Sequence, residues 1–152
     1  MPGISLPGQI IILVLLAGFS FIMSRYDLRS LEVPDWPYWA SCILVIIARL
    51  VFYRQTIYLN IISALIFLFL YYLIRFVTRG HLGIGDVYFG IFQGLCIGPA
   101  VIWICLAVET LTGLIAYLIL YLVKKTKGIK MPFIPFMSFG LLTAFMLEWL
   151  VL

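Results

Sequence analysis

The chain has 152 residues, 65% of them hydrophobic and 11% charged, with a mean hydropathy of +1.20. Globular chains average about 45–50% apolar residues, so this composition excludes an ordinary soluble domain and indicates a polytopic membrane protein. The net charge of +4 is a topology signal first, and nucleic-acid binding has no support because the basic residues stand at the ends of apolar segments.

The chain opens with Met1 to Pro7, followed by an apolar run from Gly8 to Ser24 that lacks the positive leading region of a cleaved signal peptide. Its 17 residues would rise about 26 Å as a helix, enough for a first span. A polar loop, Arg25 to Pro37, is expected next and holds Asp27, Glu32 and Asp35. The second span is expected over Tyr38–Tyr53 and the third over Ile57–Val77. Only Arg54-Gln55-Thr56 separate them, so they form a tight hairpin.

Then comes His81-Leu82-Gly83-Ile84-Gly85-Asp86-Val87-Tyr88. A carboxylate stands where a glycine-rich turn meets an apolar run. Gly83 and Gly85 permit close backbone approach and angles that other residues avoid. Asp86 has two readings: a simple N-cap for the helix that follows, or a functional group. The fourth span, Asp86–Gly98, has 13 residues. These rise only about 20 Å, short of a typical hydrocarbon core, which puts Asp86 at or below the interface. A charge at that depth is costly and usually functional. Gly90, Gly94 and Gly98 stand four apart, a pattern that lets another helix approach closely, and packing alone accounts for them. Pro99 suits the first turn of the next helix.

A fifth span is expected over Ala100–Val123, a loop with four lysines over Lys124–Lys130, and a last span over Met131–Leu152. The expected fold is therefore all-α: a bundle of six transmembrane helices forming one integral-membrane domain, residues 1–152. Cys42, Cys96 and Cys105 lie singly in apolar runs without metal-ligand spacing, and read as small buried hydrophobes.

Orientation follows from the basic residues. With the N-terminus outside, one side receives Arg25, Arg29, Arg75, Arg79, Lys124, Lys125, Lys127 and Lys130. The other receives Arg54, and Arg49 if it snorkels outward. The bias places both termini outside the cytoplasm, and the ends carrying Asp27 and Asp86 on the cytoplasmic side of the cell's inner membrane.

Two carboxylates distant in sequence can then meet at one cytoplasmic mouth. Paired aspartates cleave an amide without a metal or a covalent intermediate. One, ionised, draws a proton from the attacking water; the other, protonated, donates to the oxyanion and the leaving amine. Like charges at close range cannot both be ionised, which divides the two roles. No metal and no cofactor are expected.

These residues carry a resemblance. Asp27-Leu28-Arg29-Ser30-Leu31-Glu32-Val33-Pro34-Asp35-Trp36 resembles the first catalytic-aspartate segment of type IV prepilin leader peptidases. Gly83-Ile84-Gly85-Asp86-Val87 is similar to their GxGD segment, and Pro132-Phe133-Ile134-Pro135-Phe136 to the proline-phenylalanine segment opening their last helix. The resemblance implies that Asp27 and Asp86 are catalytic, supported by the backbone of Gly83 and Gly85. It implies a pilin-like precursor as substrate, cut after a glycine at the end of a short basic leader, on the cytoplasmic side. Tyr88 and Ile134 depart from the lysine and glycine that many members carry there. Longer members hold a cysteine-bearing insert associated with N-methylation, and this chain shows none, so peptidase activity without methylation is expected.

Asp35 reads as a cap for the second helix, Glu32 as a solvated loop charge and His81 as a loop residue. Glu109, mid-span beside Thr110 and Thr112, reads as hydrogen-bonded within the bundle, the alternative being a polar path. Two rival functions are a small transporter and a structural membrane subunit, but the halves do not match as transporter repeats do. A signal-peptide-peptidase-like enzyme shares GxGD, yet is expected to have more spans and its first aspartate inside a helix.

Overall fold

The computed structural model describes residues 6–124 and 131–151. Among them run six α-helices: α1 (Leu6–Ser30), α2 (Asp35–Phe52), α3 (Ile57–Val77), α4 (Ile84–Cys96), α5 (Ile102–Lys124) and α6 (Ile134–Val151), with one 3₁₀ turn, Pro99–Val101, leading into α5. Four stretches are long and apolar enough to cross a membrane: α1, α2, α3, and Pro99–Val123; α4 and α6 are shorter apolar helices. The protein is a multi-pass membrane protein, and its outer surface is apolar as lipid requires: Phe21, Phe69, Phe76, Trp103 and Leu150 all face outward.

The helices start and stop for local reasons. Pro34 ends the α1–α2 loop, and Pro37 falls in the first turn of α2, where a missing amide costs nothing. α3 closes on Arg79 and Gly80, both with positive φ, the latter at +85°. The amide of Gly80 returns to the Arg75 carbonyl at 2.8 Å, a C-terminal cap of the Schellman kind. Leu31, directly after α1, also adopts positive φ, and its amide reaches the Asp27 carbonyl at 3.0 Å. That tight reversal sets the first turn of α2 beside the last turn of α1.

α4 is the centre of the bundle, packed on α3, α2 and α6, while α1 packs on α2 and α6, and α5 on α6. Its glycines act through space and not through unusual backbone angles. A Cβ at Gly94 would lie 2.3 Å from the Ala64 backbone, and one at Gly90 2.3 Å from the Tyr71 ring. The expected close approach is therefore real, and its partner is α3.

At its far end α4 gives way to extended Ile97 and Gly98. Irregular backbone within a membrane must be satisfied from inside the protein. Arg49 of α2 donates to the Cys96 carbonyl, and Glu148 of α6 accepts the Gly98 amide at 3.0 and 3.1 Å. Arg49 is thus buried and turned inward, with its guanidinium 5.2 Å from the Tyr53 ring centre. The condition set for counting it on the outer side, that it snorkels outward, is therefore not met. A cation suits the carbonyl end of α4.

Several boundaries differ from expectation. α1 continues to Ser30, so most of the expected first loop is helical and Asp27 sits within the helix. α4 begins at Ile84, two residues before Asp86. Asp35 is the first residue of α2, with Pro34 at the capping position and no side-chain cap bond, so it does not cap that helix. Its charge still stands in the first turn, where it complements the helix dipole. Lys125, Lys127 and Lys130 of the expected lysine loop lie outside the described residues.

Candidate active site

Asp27 is buried at the end of α1, 7% exposed, and its Oδ2 accepts the Ile134 amide of α6 at 2.9 Å. The first amides of a helix have no partner within it. Here a carboxylate from another helix supplies one, favoured by the positive end of the α6 dipole. Deeper in the same contact, the hydroxyls of Ser24 and Ser138 meet at 3.1 Å. The Pro-Phe segment therefore has a physical role: it delivers the α6 N-terminus to Asp27.

Asp86 lies in the first turn of α4, half-buried. Its Oδ2 accepts the Gly83 amide at 3.1 Å. The expectation that Asp86 itself N-caps the helix is corrected: Gly83 is the capping residue, and Asp86, three residues inside, accepts its amide. Gly83 has φ −62°, which any residue can adopt. What a side chain there would cost is space: a Cβ would come within 3.1 Å of Asp86 Oδ2. Gly85 is tighter still, its Cβ position only 2.6 Å from the Tyr38 Oη. The expected glycine backbone is therefore needed for close approach, and not for unusual dihedral angles.

The two carboxylates share one end of the bundle, near enough for the charge of Asp27 to act on Asp86. Arg75 at the end of α3 also acts on Asp86, and its guanidinium donates to the Leu82 carbonyl, tying the glycine turn to α3. Glu32 and His81 are exposed, as expected of loop residues, and Asp35 is exposed at the start of α2. No group of three or more His, Cys, Asp or Glu suited to a metal ion occurs among the described residues.

Tyr38 carried no mark in the sequence, being one of nine tyrosines. In the fold it is 2% exposed, beside Gly85, and the charges of Asp86, Asp27 and Asp35 all act on its hydroxyl. Its ring packs edge-on to Tyr88 at 5.9 Å, which in turn meets Trp39 at 5.9 Å. These rings also line an apolar groove of about 380 Å³ formed by α2, α3 and α4. Cys42, Ile61, Ala64 and Leu95 are among its walls.

Glu109 lies deeper, 1% exposed, bonded to the Tyr71 hydroxyl and, at 2.8 Å, to Gln93 Nε2. Gln93 also donates to the Met137 carbonyl at 3.1 Å. This polar knot joins α3, α4, α5 and α6, the structural role expected of Glu109. Of the cysteines, Cys96 and Cys105 are buried as expected, whereas Cys42 is half-exposed on the groove wall.

The chain matches no curated protein and no solved structure. The model of the type IV leader peptidase family, however, matches residues 14–146, a stretch that takes in Asp27, the glycine turn with Asp86 and the start of α6. The chain belongs to the type IV leader peptidase family, whose members are membrane proteases.

Proposed function

We propose that this protein is a prepilin-type endopeptidase that removes the short basic leader of a pilin-like precursor, cutting after glycine at the cytoplasmic face of the inner membrane. What supports this reading is that the charge of Asp27, on α1, acts on Asp86, on α4, inside a chain of this family. One carboxylate, ionised, takes a proton from water as its oxygen adds to the scissile carbonyl carbon. The other, protonated, gives its proton to the departing amine, and the C–N bond breaks. Asp27 and Asp86 are assigned these two roles jointly, without a metal or cofactor and without a methyltransferase step.

The positive-inside bias supports the cytoplasmic placement, and the inward turn of Arg49 leaves fewer basic residues on the opposite side. Glu32 and Asp35, exposed at the mouth, would attract a basic leader. The apolar groove is lined at one end by Tyr38, which packs against Gly85, the residue before Asp86. It gives the precursor's hydrophobic helix a seat within the bilayer while the leader bond reaches the aspartates.

The test is direct. Purified protein in lipid vesicles is incubated with a precursor composed of a basic leader, a glycine and an apolar helix, and the product's new N-terminus is sequenced. Cleavage directly after the glycine is expected. An intact precursor, with the protein folded, overturns the reading.

A further inference from the structure

Buried hydroxyls nearly always find a partner, because leaving one unmade costs free energy with nothing in return. The Tyr38 hydroxyl has none among the described residues. It is not a loosely placed side chain. The ring is held edge-on by Tyr88, the residue is 2% exposed, and Gly85 carries no side chain in the one place where a Cβ would strike the hydroxyl at 2.6 Å. Sequence and packing together keep a donor free beside the first turn of α4, against Gly85, the residue before Asp86.

We infer that Tyr38 supplies a hydrogen bond to the oxygen of the scissile carbonyl when precursor is bound between Asp27 and Asp86. This assignment rests on the peptidase reading. As water's oxygen adds to the carbonyl carbon, the carbonyl oxygen gains negative charge, and a fixed donor stabilises that charge more than it stabilises the neutral ground state. The surroundings favour a neutral donor for this duty. A phenol can donate while adding no charge to a mouth that already holds Asp27, Asp35 and Asp86. A lysine or arginine in the same place would pair with the carboxylates and quench the base. Gly85 then acquires a purpose beyond backbone fit: its missing side chain leaves the space that the hydroxyl occupies beside the first turn of α4.

The experiment compares wild type, Asp27→Asn, Asp86→Asn and Tyr38→Phe in vesicles with the same precursor, recording kcat, KM and thermal unfolding. Tyr38→Phe keeps the ring and its packing on Tyr88 and removes one oxygen. The expected result is a kcat lowered about 10²-fold, with KM changed less than about twofold. The melting temperature should be unchanged or higher, since an unsatisfied buried hydroxyl has been removed. A normal kcat in Tyr38→Phe, with wild type active and both aspartate variants inactive, overturns the role of Tyr38 and leaves the peptidase reading intact. A lower melting temperature that accompanies the lower kcat overturns it too, by making Tyr38 merely structural. If folded wild type itself leaves the precursor whole, the peptidase reading fails and takes this assignment with it.

Discussion

The carboxylate of Asp27 accepts the backbone amide of Ile134 at 2.9 Å, joining the end of α1 to the start of α6 across 107 residues of chain. One side chain thus closes a helix terminus while its charge acts on Asp86. The family resemblance in the first loop and that in the Pro-Phe segment are the two halves of a single contact. Its geometry also guides the choice of variant. Asparagine retains an oxygen that can accept the Ile134 amide, whereas alanine leaves that amide unpaired.

Asp27→Asn and Asp86→Asn should therefore each remove proteolysis without unfolding the protein. Both keep the acceptor, for Ile134 and Gly83 respectively. Neither can exchange a proton with water or amine. Cleavage rates are expected to fall by at least about 10²–10⁴-fold. Precursor processing on gels, alongside thermal unfolding in detergent, checks both halves; a substantial rate in either variant would contradict the dyad.

Gly85→Ala should damage stability and activity together, because its methyl group would meet the Tyr38 hydroxyl at 2.6 Å and a fully packed tyrosine cannot swing aside. Strain of about 1–3 kcal/mol is expected. Combining it with Tyr38→Phe takes away the oxygen that clashes. The double variant should recover much of the lost stability while remaining slow, a split visible by comparing unfolding with turnover.

The space around each Cβ position predicts opposite outcomes for two glycines. Gly94→Ala drives a methyl group to 2.3 Å from the Ala64 backbone, which cannot yield without separating the helices. A loss of about 2–3 kcal/mol is expected. Gly18 in α1 has nothing within 4 Å of its Cβ position, so Gly18→Ala should be neutral or stabilise by about 0.5–1 kcal/mol. Detergent melts of the two variants provide the comparison.

The bend after α4 depends on two polar side chains from different helices. Arg49→Met leaves the Cys96 carbonyl without its donor and should cost about 2–3 kcal/mol. The charge of Glu148 acts on Arg49, so Arg49→Met combined with Glu148→Gln should cost less than the sum of the single changes, by about 1 kcal/mol. A double-mutant cycle of unfolding energies measures it, and simple additivity would mean that the two act independently.

Should the groove seat the precursor's apolar helix, a photoreactive amino acid replacing Cys42 or Ile61 will capture that helix on illumination. The same probe at Trp103 or Leu111, exposed on the fifth helix away from the groove, should capture lipid and little precursor. Equal capture at all four positions would show that the groove has no preference for the substrate.

Much of this protein was legible in one dimension. Composition made it a multi-pass membrane protein, since sixty-five residues in a hundred are hydrophobic and hydropathy is a local property that needs no partner. Six helical segments, the glycine ladder on α4 and the three family segments could all be read from residue type and spacing. Asp27 and Asp86 stood out because charge beside an apolar run is expensive. What the chain alone left open concerns directions around helix axes and meetings between distant segments. Continuous helix through Asp27, the inward turn of Arg49, the loss of Asp35 as a cap and the free hydroxyl of Tyr38 all depend on which neighbour each side chain faces. That is decided by packing across the bundle. A tyrosine at the start of a span looks like any interfacial tyrosine until Gly85 is set against its hydroxyl, and only the folded bundle does that.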